Sequence, residues 1–291
     1  MTETIDIAAG PWSARILRFG AELAALSYRG WGDILWPATD PWRRHAPNLF
    51  PIVGKLAGDR LRHGGQVYSF GQHGFARDRD FTVIEAGVDH CRLRLSDDDE
   101  TRARYPFAFT LDLVYRIDAS GLSVTYEVGN PGGEVLPASV GAHPAFLWPL
   151  DPGAAKTAHH LLFDEAEPAP VRRLEGGLLS PTLHETPIRG RRLDLADALF
   201  VDDALILDAP VSRGLVFGGP GRAIRFSWAG FGQLGLWMKP GAGWLCIEPW
   251  AGFASPLGFD GEFADKPGVF LVAPGETREF SYRVEAISPG A

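Results

Sequence analysis

The stretch Phe107-Ala108-Phe109-Thr110-Leu111-Asp112-Leu113-Val114-Tyr115-Arg116-Ile117-Asp118-Ala119-Ser120-Gly121-Leu122-Ser123-Val124-Thr125-Tyr126-Glu127-Val128 sets the expectation for the whole chain. Phe107, Phe109, Leu111, Leu113, Tyr115 and Ile117 alternate with smaller or polar residues, the period of a strand with one buried face. Asp118-Ala119-Ser120-Gly121 is turn chemistry, and Leu122, Val124, Tyr126 and Val128 alternate back. This is a long β-hairpin. Shorter runs of the same kind occur at 14–17, 24–28, 91–95, 223–228, 233–238, 244–247 and 279–286, with turn residues between them. Amphipathic helical periodicity is scarce: only Leu193 to Phe200 and the turn-rich Ser180 to Glu185 read as locally helical. The pattern predicts an all-β protein of large antiparallel sheets, with 1–291 as one domain. Asp151 to Arg192, richer in Pro, His and charge than its surroundings, reads as an irregular surface excursion.

Composition narrows the function. The 291 residues hold 18 Phe and 9 Trp, enough for a large core, and carry a formal net charge of −8. Nucleic acids and anionic membranes demand clustered Lys and Arg, which a net-acidic chain with no basic run lacks, so neither is expected as a partner. Met1 to Gly10 has no basic region followed by a long apolar run, and no stretch is long and apolar enough to span a bilayer; a cytoplasmic location is expected. Cys91 and Cys246 fit no metal spacing and sit in apolar alternations, the setting of small buried hydrophobes.

One charged side chain breaks the apolar pattern. In Trp244-Leu245-Cys246-Ile247-Glu248-Pro249-Trp250, strand alternation puts Trp244, Cys246, Glu248 and Trp250 on one face. A carboxylate flanked by two indoles is either paired in a core or waits for a ligand, and both readings stand at this point. Two further polar sites stand out. Gln72-His73-Gly74-Phe75-Ala76-Arg77-Asp78 offers a histidine among glycines with an Arg and an Asp nearby, and Gly141-Ala142-His143-Pro144 offers a histidine held extended by the following proline. Phosphate-cradling loops, a nucleophile elbow and zinc-spaced histidines are all missing from the sequence; His159 and His160 are strand neighbours that point apart. Proton transfer is the chemistry these residues support, since imidazole titrates near neutrality and burial tunes a carboxyl toward it. Trp237 and Trp250, close to Glu248, suit stacking on the C–H face of a sugar.

With these motifs in view, the chain resembles the aldose 1-epimerase (galactose mutarotase) superfamily and, within it, the LacX-like branch. The resemblance covers nearly the whole chain: Phe19-Gly20-Ala21-Glu22-Leu23 and Ile34-Leu35-Trp36-Pro37 near the start, Asn48-Leu49-Phe50-Pro51-Ile52-Val53-Gly54 with the His73 motif, Gly141-Ala142-His143-Pro144-Ala145-Phe146, and Cys246-Ile247-Glu248-Pro249-Trp250. It implies a β-supersandwich that interconverts the α and β anomers of a free monosaccharide, without cofactor or metal, as a monomer or homodimer. It further implies Glu248 as general base and His143 as general acid, with His73, Arg77, Asp203 and Asn48 on the sugar. Relatives carry an Arg after the Pro-x-x-Gly turn where this chain has Lys55, so Arg60 stands as the candidate there. Alternatives are a hexose 6-phosphate mutarotase, which needs a basic pocket, a non-catalytic carbohydrate-binding protein, and a glycoside hydrolase using Asp203 or Asp78 as a second carboxylate.

Overall fold

Residues 3–287 are described by a computed structural model; of the expected span 1–291, positions 1, 2 and 288–291 lie outside the described residues. The hairpin forms as read. Thr110–Ile117 and Gly121–Gly129 pair antiparallel with Ile117 opposite Leu122, and Asp118 Oδ1 accepts from the backbone N–H groups of Ser120 and Gly121 to close the turn. They lie within a nine-stranded sheet whose order is Arg192–Asp194, His160–Phe163, Gly214–Gly218, Ala223–Ala229, Thr277–Ile287, Gly121–Gly129, Thr110–Ile117, His90–Ser96 and Thr82–Ala86. Its inner face carries Leu113, Tyr115, Val124, Tyr126, Phe226 and Tyr282, all buried.

The second large sheet runs in the order Leu178–His184, Val171–Glu175, Leu205–Leu207, Gln233–Trp237, Trp244–Ala251, Val140–Ala142 and Asn48–Leu49, with Ala145–Leu147 also paired to Trp244–Ala251. Every ladder between named strands is antiparallel, and one apolar cluster runs from Ile7 to Val284. Among the described residues the one α-helix is the four-residue turn Asp99–Arg102. This is the expected all-β architecture of large antiparallel sheets.

Two local readings are corrected. Asp151 to Arg192 is no loose excursion: it supplies His160–Phe163 inside the first sheet and Val171–Glu175 and Leu178–His184 at the edge of the second. Ser180 to Glu185 is largely strand, not helix; only Asp197–Phe200 of the second expected helical stretch turns helically, as a 3-10 turn. Leu178–His184 is an edge strand with Ser180 and Leu179 buried and Pro181 to His184 exposed, so its polar, Pro-containing sequence hides a strand pattern.

Register on the second sheet determines what meets what. Gly141 pairs with Trp250 and Ala145 with Cys246, so His143, midway between, lies opposite Glu248 on the next strand. On the other side Gly235 pairs with Glu248, and Ile206 with Gly235. One transverse row therefore reads Ile206, Gly235, Glu248, His143. The neighbouring row carries Trp237, Cys246 and Ala145, and the row beyond it, on the opposite side, Gln233, Trp250 and Gly141. Gly235 and Gly141 are small for a reason: a Cβ on Gly235 would penetrate the six-membered ring of Trp250, and one on Gly141 would sit 2.7 Å from its Cδ1. The indole lies flat across both neighbours.

Glu22 anchors the loop that crosses above this face. Its carboxylate, 7% exposed, accepts from the N–H groups of His45 (2.6 Å) and Ala46 (2.9 Å). Burial alone would raise its pKa, but these bonds and the nearby His45 ring more than offset it and hold it below its ordinary value of 4.5. The folded chain thus binds fewer protons here than the unfolded chain, and the contribution to stability is present above about pH 4.5 and lost as pH falls. Glu22→Gln should cost about 1–3 kcal/mol at pH 7, with the gap to the parent protein closing below about pH 4 in denaturant titrations. Gly235→Ala should cost about 1–3 kcal/mol through overpacking and change the tryptophan emission as the Trp250 indole is displaced.

Candidate functional site

A cavity of about 540 Å³ lies on the outer face of the second sheet, within the size range of small-molecule sites. Its floor is that face itself: Leu174, Ile206, Trp237, Glu248 and Trp250. One wall comes from Val53, Gly54, Gln72, His73 and Arg77; another from Phe200, Val201, Asp203 and Ala204; Trp42 and Met238 to Pro240 complete it.

Glu248 and His143 meet on the floor, Nε2 to Oε2 at 3.1 Å, and are 1% and 8% exposed. Burial pushes the Glu248 carboxyl well above the ordinary carboxylate range, and the Asp203 carboxylate pushes it the same way. Burial drives the His143 imidazolium down to about 3, helped by the Arg77 and Arg44 cations. Both shifts favour the uncharged forms, a carboxylic acid facing a neutral imidazole. The His143 ring is boxed: Trp42 stacks on it at 5.3 Å, and Trp237 and His73 approach edge-on, each at 5.8 Å.

His73 is held by a two-point clamp on Gly54. Its backbone N–H donates to the Gly54 carbonyl at 2.8 Å, and its Nδ1 accepts from the Gly54 N–H at 3.1 Å. Since Nδ1 accepts, the ring proton of the neutral imidazole is on Nε2, a donor that lies 3.2 Å from the side-chain amide of Gln72. Burial, then His143 and Arg77, hold its pKa well below the free value, so it stays neutral. The clamp depends on backbone that only glycine adopts easily: Gly54 has φ +72° and a Cβ there would lie 2.6 Å from Ala254, while Gly74 has φ +74° and a Cβ would strike the Phe50 carbonyl. Arg77 donates to the Gln72 carbonyl at 2.8 Å, and its Nε, 3.7 Å from Asp78 Oδ2, has no hydrogen-bond partner among the described residues. Asp203, with φ +68°, binds the N–H of Ala204 through Oδ1 at 2.8 Å.

The structure thus gathers Glu248, His143, His73, Arg77, Asp203, Trp237 and Trp250 around one cavity. Asn48 and Arg60 are elsewhere. Asn48 is buried between the sheets, its Nδ2 donating to the Gly20 and Ala21 carbonyls and its Oδ1 accepting from the Tyr126 hydroxyl at 2.6 Å. Strand parity explains this, because Leu49 faces the cavity side beside Trp250 and Asn48 must face the other. Arg60 lies in a separate small groove with Arg62 and Lys266, while Lys55 reaches toward Asp59 at 3.7 Å. Two cavity residues escape the sequence reading. Trp42 lies in the polar loop Asp40-Pro41-Trp42-Arg43-Arg44, where no periodicity marks it, and Lys239 sits in a Lys-Pro-Gly turn that reads as solvent-facing.

Comparison with known proteins identifies relatives in both sequence and fold. The model of the family described as aldose 1-epimerase matches residues 3–282. The plasmid-encoded protein LacX of Lactococcus lactis is 29% identical over 300 residues, covering 98% of this chain and all of that one. A galactose mutarotase-like protein from Lactobacillus casei superposes with a TM-score of 0.91 at 28% identity, covering 98% of this chain and all of that one. A galactose mutarotase related enzyme from Lactobacillus acidophilus does so with a TM-score of 0.89 at 29% identity, over 98% of each chain. With its family model matched over nearly the whole length, the chain belongs to the aldose 1-epimerase family.

Proposed function

We propose that this protein is a mutarotase that interconverts the α and β anomers of a free aldose. The observation that carries the reading is the buried His143–Glu248 contact at 3.1 Å on the floor of a cavity of about 540 Å³. Ring opening needs one group to take the anomeric hydroxyl proton and another to supply a proton to the ring oxygen. A pair holding a single proton does both. With Glu248 ionised and His143 protonated, Glu248 takes the O1 proton, His143 protonates the ring oxygen, and the C1–O5 bond breaks to leave an aldehyde. The pair is then a carboxylic acid and a neutral imidazole. Rotation about C1–C2 turns the other carbonyl face to the hydroxyl, and reclosure returns both protons by the reverse transfers. The uncharged resting pair reaches the reactive arrangement by moving one proton across the 3.1 Å contact.

The remaining residues hold the sugar. His73, as an Nε2–H donor, and Arg77 offer hydrogen bonds from one wall and Asp203 accepts from the other, while Trp237 and Trp250 present aromatic surface to the C–H face. A phosphorylated aldose is the second reading, favoured by the two cations Arg77 and Lys239 that line the same cavity.

Freshly dissolved crystalline α-anomers followed by polarimetry test the reading: the protein should accelerate equilibration of at least one aldose. Glu248→Gln and His143→Ala should each lower kcat by about 10²–10⁴-fold while the fold is kept. If sugar binds equally to parent and variants and no aldose equilibrates faster, the protein is a binder and the mutarotase reading fails. Burial drives the His143 imidazolium down to about 3 and raises the Glu248 carboxyl, so the imidazole of the pair has no titration of its own near neutrality. The profile of kcat/KM should therefore be flat through about pH 6.5, where a free imidazole titrates; a full inflection there would mean that a solvated histidine carries the chemistry. Lys239→Ala should lower kcat/KM for a hexose 6-phosphate more than for the free hexose if the second reading holds.

A further inference from the structure

The acid–base pair has a third neighbour. Cys246 stands two residues before Glu248 on the same strand and therefore on the same face, and its thiol, an imidazole nitrogen of His143 and a carboxylate oxygen of Glu248 all lie within 4.8 Å of one another. All three residues are buried. We infer that His143, Cys246 and Glu248 form a three-donor site for a thiophilic divalent cation of the Zn²⁺ class.

Thiolate, imidazole and carboxylate together match the borderline-soft character of zinc, and three protein donors with one side open is a complete zinc site once water takes the fourth position. Bond lengths of about 2.0–2.3 Å place tetrahedral donors roughly 3.3–3.8 Å apart. The His143–Glu248 separation of 3.1 Å already approaches this, and the thiol, within 4.8 Å of both, has to close by up to about 1–1.5 Å to join. A second observation points to a ligand: Glu248 Oε2 is buried and lacks a hydrogen-bond donor among the described residues beyond its contact with the His143 ring, and it faces the cavity through which an ion would arrive. The approach is along the His143–Glu248 edge, since these two line the cavity and Cys246 lies behind them.

Occupancy would remove both proton-transferring groups from use, so the ion acts as a reversible inhibitor that competes with the sugar. That consequence rests on the mutarotase reading; the site itself does not.

Titration of the purified protein with Co²⁺, a spectroscopic substitute for Zn²⁺, tests the two separately. The expected result is one equivalent bound, with the visible bands of a four-coordinate ion and a sulfur-to-cobalt charge-transfer band, both abolished by added Zn²⁺. Cys246→Ser should lose the charge-transfer band, and Glu248→Gln, which keeps the side-chain volume, should weaken binding by roughly tenfold or more while keeping the band. Circular dichroism on both variants shows whether the sheet is intact, and Glu248→Gln carries the test if Cys246→Ser does not fold. A protein that shows no thiolate band at saturating Co²⁺, a band that persists in Cys246→Ser, or unchanged affinity in Glu248→Gln overturns the site. Zn²⁺ should slow anomer equilibration in step with occupancy, with full recovery on adding EDTA; an active protein that is indifferent to bound Zn²⁺ overturns the inhibition. A protein that shows the band but accelerates no aldose keeps the metal site and loses the mutarotase reading.

Discussion

The antiparallel register that sets His143 opposite Glu248 is the constraint on which the site depends. Side-chain parity in a sheet is binary, so a slip of one residue in either ladder would turn the imidazole or the carboxyl into the apolar layer between the sheets. The register is defended on both sides of the pair. Ala145–Leu147 pairs with Trp244 to Cys246, Val140 and Gly141 with Ala251 and Trp250, and the Ile247 N–H still finds the Pro144 carbonyl at 3.2 Å across the interruption. Pro144 cannot donate to the ladder, which leaves the stretch free to present His143 without a competing backbone bond.

Burial acts on the two groups of that pair in opposite senses. Taking a carboxylate out of water raises its proton affinity, and taking an imidazolium out of water lowers it. A buried acid–base pair of this kind therefore settles into the uncharged form and avoids the large cost of two isolated buried charges. Trp42, Trp237 and His73 around the imidazole make the desolvation possible, and Gly54 holds His73 in the tautomer that donates.

Much of this was legible in the sequence, for reasons that differ by element. The 107–128 hairpin and the 244–250 strand announced themselves because one face of each is apolar and the period is unbroken. The strands at Val171–Glu175 and Leu178–His184 were hidden because they lie at the outer end of the sheet, the second as its edge strand, where half-exposed and exposed side chains select for Arg, Pro and His over alternating hydrophobics. Within the site, residues on strands or in the glycine-bracketed His73 loop could be placed by type and position. Asn48 could not, since a two-residue strand gives no alternation from which to read its face, and it became a buried amide joining Tyr126 to the Gly20–Ala21 backbone. Trp42 reaches the cavity from a loop whose path is set by tertiary bonds to Glu22 and by its own carbonyl, which accepts from the Trp36 indole at 2.8 Å.

The flat seat of Trp250 over Gly141 and Gly235 has a consequence for how this cavity can diversify. Two strands of the floor have surrendered their side chains to accommodate one indole, so there is no room beneath it and almost no substitution at either glycine that leaves the ring where it is. The depth of the cavity is thereby frozen. Variation in what the site accepts must come instead from the rim, where Lys239 sits on a turn outside the ladders. Variants of this chain can reshape the rim while the floor around Glu248 and His143 stays the same.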